Sequence, residues 1–94
     1  MILQLTSAEN AALHQFLTNC EDGEMLSENE WVLDLYDLTN PISIDLLFEK
    51  DGNVRIEGVA ALLYDEEMDG WYMGARVEEI DVVRNALVEA GALA

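Results

Sequence analysis

The sequence is short of bases, cysteine, histidine, proline and aromatic residues, and each shortage removes a class of function. Lys and Arg number 4 against 20 Asp and Glu, which sets the formal charge at −16. Proteins that grip phosphate backbones use clustered Lys and Arg, and this chain has no such cluster. The same charge opposes adsorption to anionic membranes. A single cysteine, Cys20, excludes an internal disulfide framework and any cysteine-built zinc or iron–sulfur centre. His14 is the one imidazole, so any Ser–His or Cys–His pair has to use it. Ser7 shares its helical face but lies ~10 Å away along the axis, beyond the ~3 Å reach of a nucleophile–base hydrogen bond. Cys20 lies about 240° round the same helix, beside Glu21 and Asp22, where a thiolate is disfavoured.

Long apolar runs are also missing. The longest, Val59 to Tyr64, suits a buried strand and falls far short of a membrane span. Met1 to Leu5 has no basic flank and is too short for a signal-peptide core. With an unpaired thiol besides, the expected location is cytoplasmic. The 6 glycines are scattered, with no Gly-rich phosphate loop. Ser43 follows Ile42 inside a strand pattern, unlike the Asp-preceded serine at a helix start that an acidic carrier protein needs.

What is present is a core. Hydrophobic residues make up 51% of 94 residues and 10.5 kDa, enough for one small packed domain spanning 1–94 and too many for a disordered acidic tail. Thr6 to Glu9 has the form of a capping box. Behind it Ala12, Leu13, Phe16, Leu17 and Cys20 keep the spacing of one buried stripe, which predicts a helix over 7–20. Met1 to Leu5 reads as a short strand leading in.

The stretch from Trp31 to Leu38 admits two readings. As a strand, Trp31, Leu33 and Leu35 face one way. As a helix, Trp31, Leu35 and Leu38 line up, and Glu30, Asp34 and Asp37 form an acidic ridge with neighbours about 5–6 Å apart. A second cap pattern, Ser27 to Glu30, and little β-branching favour a helix over 28–38. Beyond Asn40-Pro41 the pattern changes: Ile42, Ile44, Leu46 and Phe48 alternate with mostly polar residues. Asp51-Gly52 then marks a hairpin with a type I′ turn, and Val54, Ile56, Gly58, Ala60 and Leu62 continue the inward face. Past Gly58 both faces turn apolar, which calls for a cover on the outer side or a bulge that resets the register. An acidic loop, Asp65 to Gly70, leads to a third strand over 71–77, with Trp71 and Met73 inward and Tyr72 outward. A closing helix over 79–90 puts Ile80, Val83, Leu87 and Ala90 inward and ends at Gly91. The expected fold is α+β: a three-stranded antiparallel meander packed with N-terminal and C-terminal helices.

Asp65-x-Glu67-x-Asp69-Gly70 resembles the opening of an EF-hand calcium loop. The likeness ends there: Arg76 stands where the bidentate Glu belongs, and the flanks read as strands. The expectation is a solvated acidic turn. Adjacent acids such as Glu66-Glu67 and Glu78-Glu79 follow from composition alone. No catalytic residue, metal site or cofactor is expected, and the chain does not read as an enzyme.

The charge itself is the remaining feature. The first 49 residues hold ten acids and no base. A folded monomer of this mass exposes roughly 5,400 Å², or about 270 Å² per acid. Such a field speeds capture of a cationic partner. The leading expectation is a small inhibitor that mimics nucleic acid on a basic nucleic-acid-processing protein. In size and charge the chain is similar to phage-borne inhibitors of restriction and CRISPR nucleases, a likeness of kind that rests on no shared motif. The alternatives are an immunity or antitoxin partner of a basic toxin, and an ordinary acidic domain from a salt-loving organism. Binding is expected at Glu30, Asp34 and Asp37 and at the acidic loop, Asp65, Glu66, Glu67 and Asp69, with Tyr72 as the aromatic anchor. The apolar positions Val59, Ala61 and Leu63 also mark a possible homodimer edge.

Overall fold

Alternation of apolar and polar residues dominates the middle of the chain, and the computed structural model, which describes residues 1–94, turns all of it into sheet. The elements are β1 (Ile2–Leu3), α1 (Ser7–Asn19), β2 (Gly23–Met25), β3 (Glu30–Leu35), β4 (Ile42–Phe48), β5 (Val54–Asp65), β6 (Gly70–Arg76) and α2 (Ile80–Glu89). Every strand pairing is antiparallel, in the order β1-β5-β4-β3-β2, with β6 paired to β5 alone. β4 lines one edge of β5 from Val54 to Ala61. The other edge is shared by β1, at Val54 and Arg55, and β6, from Ala60 to Asp65. The fold is α+β as expected, but its sheet has six strands where a three-stranded meander was expected.

The largest difference lies at residues 28–38, where Glu30–Leu35 form β3 and no helix forms. Trp31, Leu33 and Leu35 all point into the core, while Glu30, Val32 and Asp34 lie on the other face. Six consecutive residues pair with β4, from Glu30 opposite Leu47 to Leu35 opposite Ile42. Burial of the Trp31 face and the β4 ladder outweigh a modest helix propensity. The apparent cap at Ser27 is the turn between β2 and β3: the amides of Leu26 and Ser27 donate to the Glu30 carbonyl at 2.8 and 3.3 Å.

Both helices cover one face of the sheet. The Thr6 hydroxyl accepts the Glu9 amide at 3.1 Å, and the Glu9 carboxylate accepts the Thr6 amide at 2.9 Å, so the capping box is closed. Leu13 and Leu17 are fully buried, Phe16 and Cys20 are half-buried, and Ala12 is exposed. α2 buries Val83 and Leu87 and ends in a Schellman motif. There Gly91 has φ +86°, and the amides of Gly91 and Ala92 donate to Val88 and Leu87 at 3.1 and 2.9 Å. Arg84 joins the two helices, donating to the Glu9 carboxylate at 3.1 Å and to the Gln4 carbonyl at 2.5 Å. The Thr6 amide, then Arg84, hold the Glu9 carboxyl below its usual range. Sixteen buried residues form the core between helices and sheet, with Leu33, Ile44, Leu46 and Val54 at its floor.

The hairpin at residues 49–53 forms, with a different turn. Only Gly52 has a positive φ, +91°, so a three-residue loop replaces the expected type I′ turn. The Gly52 amide donates to the Glu49 carbonyl at 3.2 Å, and the Glu49 amide to the Asn53 carbonyl at 2.9 Å. The register slips between Asp45 and Leu46, which leaves Glu57 without a partner across the ladder. That bulge is the reset required beyond Gly58: Val59, and not Gly58, faces the core.

β5 is twelve residues long, or ~40 Å at strand rise, and it outruns the core. Its far half and β6 form an arm, and the molecule measures 44 × 25 × 23 Å. The accessible surface of 6051 Å² accordingly exceeds the roughly 5,400 Å² of a rounder body.

Replacing Thr6 by Ala removes one arm of the capping box and is expected to cost about 1 kcal/mol, a fall in melting temperature of about 4–8 °C in a domain of this size. Thr6→Ser keeps the acceptor and should melt close to the parent. Equal losses in both variants would show that the cap hydrogen bond is not the stabilising contact.

Candidate protein-binding face

Strand alternation decides which side chains share the uncovered face of the sheet. On β3 these are Glu30, Val32 and Asp34, followed by Tyr36 just past the strand. On β4 they are Ser43, Asp45 and Leu47. On the arm the directly paired Tyr64 and Trp71, and the paired Leu62 and Met73, join them. Leu62 is 6% exposed yet lies outside the main core cluster, which fits a place on this second face.

Three rings meet on the open side of the arm, where Tyr36 reaches the Tyr64–Trp71 pair next to the arm's turn. Trp71 lies 5.0 Å from Tyr36 and 5.4 Å from Tyr64, centroid to centroid, both at steep interplanar angles. Such tilted pairs are favoured by ring quadrupoles. Trp71, Tyr72 and Met73 nevertheless remain 42%, 52% and 65% exposed. Trp71 and Met73 do share a face, but it is the open face and not the core expected for them. The core lies on the helix side and stops short of the arm, so nothing covers them there. Half of the exposed large apolar side chains of the whole protein lie on this arm: Leu63, Tyr64, Met68, Trp71, Tyr72 and Met73.

Beside the rings lies a group of acids. The Ser43 hydroxyl donates to the Asp34 carboxylate at 2.5 Å, and this hydroxyl is the one polar side chain among the 18 buried residues. Asp45 sits over Gly58, where a Cβ would lie 3.6 Å from its carboxylate, in ordinary contact. Burial, then the charges of Asp34 and Glu57, push the Asp45 carboxyl above its usual range. Burial, then Asp34 and Asp22, likewise push the Tyr36 phenol up. Ser43, Asp45, Gly58, Ala60, Met73 and Arg76 line a shallow hollow of about 270 Å³. Arg55 is engaged with Glu49 at 2.7 Å, and Arg84 with Glu9, which leaves Arg76 as the nearest cation without a carboxylate partner.

The expected site residues fall into separate places. Glu30 and Asp34 are on the open face of β3, two residues apart along that face, and not on a helical ridge. Asp37 lies in the exposed connection to β4, off the strand. Asp65, Glu66, Glu67 and Asp69 stand together at the tip of the arm, directly beyond the Tyr64–Trp71 pair. Two of these acids build the turn: the Asp65 carboxylate accepts the Glu67 and Met68 amides at 2.9 and 3.4 Å, and Asp69, at φ +48°, accepts the Tyr64 hydroxyl. Glu66 and Glu67 point to solvent. Tyr72 is opposite Leu63, on the arm's other side from Trp71. No group of three or more His, Cys, Asp or Glu comes together in a way that could hold a metal ion. Asp45 and Trp71 were not among the expected residues. Reading Trp31 to Leu38 as a strand is what would have put Tyr36 and Asp34 on one face.

No helix is long and apolar enough to cross a membrane. Comparison with protein-family models, with curated proteins and with solved structures finds no match.

Because ionisation of Asp45 is disfavoured in the folded state, its contribution is fully favourable in acid and is lost as pH rises through its titration. Asp45→Asn is therefore expected to melt higher than the parent at pH 7, with the gap closing as the pH falls through the carboxylate range. A gap that widens in acid would reverse the sign of the interaction.

Proposed function

We propose that the protein is a small acidic inhibitor that seats its open sheet face on the basic surface of a nucleic-acid-processing protein, in the place of nucleic acid. The observation that carries this reading is the meeting, on one uncovered face, of Asp34 and Asp45 with the Tyr36–Trp71–Tyr64 cluster. Carboxylates supply long-range attraction and orientation, and they compete for the Lys and Arg that would otherwise hold phosphates. Charge alone makes a fast but weak complex. Buried aromatic anchors supply most of the affinity at interfaces, and arginine stacks well on Trp and Tyr faces. A basic partner would also relieve the mutual repulsion of Asp34, Asp45 and Glu57.

In this reading Glu30, Asp34 and Asp45 contact the partner's cations, and Trp71 and Tyr36 take the central contact. Glu66 and Glu67 extend the field along the arm, and Asp65 and Asp69 shape its tip. A restriction or CRISPR nuclease, bound by a phage-type inhibitor, is the form of partner this chemistry fits best.

The test begins with capture of the partner from the native host, followed by affinity measurements on the purified pair across a salt series with duplex DNA as competitor. Affinity should fall steeply with salt as the charges are screened, and DNA should displace the protein. Trp71→Ala should cost about 2 kcal/mol, roughly thirtyfold in Kd. A flat salt response, or a ternary complex with DNA, would rule the mimicry out.

A further inference from the structure

We infer that the free edge of β6 is a strand-docking site that takes an extended segment of the cationic partner, with bases at its end and apolar residues beside them. The inference rests on the reading above for the sign of the partner's charge, while the pairing itself rests on the edge. Sheet edges expose unpaired N–H and C=O groups, and proteins usually blunt them with short strands, prolines or lysines. Here β1 has two residues and β2 has three, so those edges offer little to pair with. β6 has seven residues, reads Gly-Trp-Tyr-Met-Gly-Ala-Arg, and pairs on one side only. It holds no proline or lysine, and no charge before Arg76. Its ladder to β5 is regular from Gly70 to Met73 and slips between there and Arg76, which makes the regular stretch the template.

A strand laid along that template is flanked by side chains on both faces. Trp71 and Met73 stand on one and Tyr72 on the other, all substantially exposed, so alternate residues of the docked segment find apolar cover on either side. At the start of the template is the Asp65–Asp69 turn, where four acids fall within five residues. Beyond its end are Glu78, Glu79 and Asp81. An incoming segment is therefore matched by apolar residues over Gly70–Met73 and by Arg or Lys where it passes the turn. A second copy of this chain is a poor occupant. It would bring another −16 against the first, and a parallel pairing would set one acidic turn directly beside the other.

The experiment uses the full chain and two synthetic octapeptides of identical sequence, two arginines at each end with alternating valine and threonine between. One is unmodified; the other is N-methylated at its four central amides, which keeps the charge and removes strand pairing. Amide shifts and hydrogen exchange of the isotope-labelled protein are followed through each titration. The unmodified peptide should bind at least about tenfold more tightly, with the largest shifts over Gly70–Met73 and new exchange protection at the alternate amides of that stretch that point away from β5. Equal affinity for both peptides would overturn strand docking while leaving a charge-driven face intact. Binding of neither would overturn both readings. Protection of the β6 amides that grows with protein concentration in the absence of peptide would assign the edge to a second copy and overturn the inference.

Discussion

The structure depends on the one-sidedness of its sheet. Two helices are enough to cover one face, and nearly every large aliphatic side chain of the body is drawn there: Leu33, Ile44, Leu46 and Val54 from the strands, Leu13, Leu17, Val83 and Leu87 from the helices. The hydrophobic gain of that single layer has to hold together a chain with four bases and twenty acids. The acids take the places that remain, the outer strand positions and the turns. Two of the four bases are committed to tying local elements together, Arg84 between the helices and Arg55 beside Glu49. On the open face only Arg76 offsets the acids, from the hollow it shares with Asp45.

On that face the acids are crowded together. Asp45 is held partly out of water beside Asp34 and near Glu57, an arrangement that raises its proton affinity and costs stability when it ionises. Tyr36 is treated the same way by Asp34 and Asp22. A surface selected only for hydration would space its carboxylates and keep them exposed. Here they crowd beside a ring cluster that is itself left uncovered, on an arm whose apolar side chains are largely exposed. Cation-rich chemistry satisfies both features at once: it neutralises the acids and stacks on the rings.

Much of the fold was legible because local patterns and tertiary packing agree. The Thr6–Glu9 box, the α1 stripe, the β4–β5 hairpin and the Gly91 terminus are each specified within a few residues, and each forms. Residues 28–38 were misread because two short-range signals, a cap-like Ser27–Glu30 and weak β-branching, pointed away from the alternation of Trp31, Leu33 and Leu35. The β4 edge that decides the matter is supplied from outside the segment. Trp71 and Met73 were placed in the core because alternation tells which residues share a face but not which face is covered. The arm extends past the helices, so neither of its sides is covered. The acidic tip was visible in sequence, whereas the Asp34–Asp45–Tyr36–Trp71 grouping needs three segments of chain brought together by register.

The central claim is that the surplus carboxylates form a recognition surface on a body stable in its own right, and not a coat that needs concentrated salt. Thermal unfolding in dilute buffer and in molar potassium chloride tests this most directly. The account predicts a cooperative melt well above room temperature in dilute buffer, with a modest rise as salt screens the repulsion. A chain that is unfolded in dilute buffer and folds only in molar salt would contradict it.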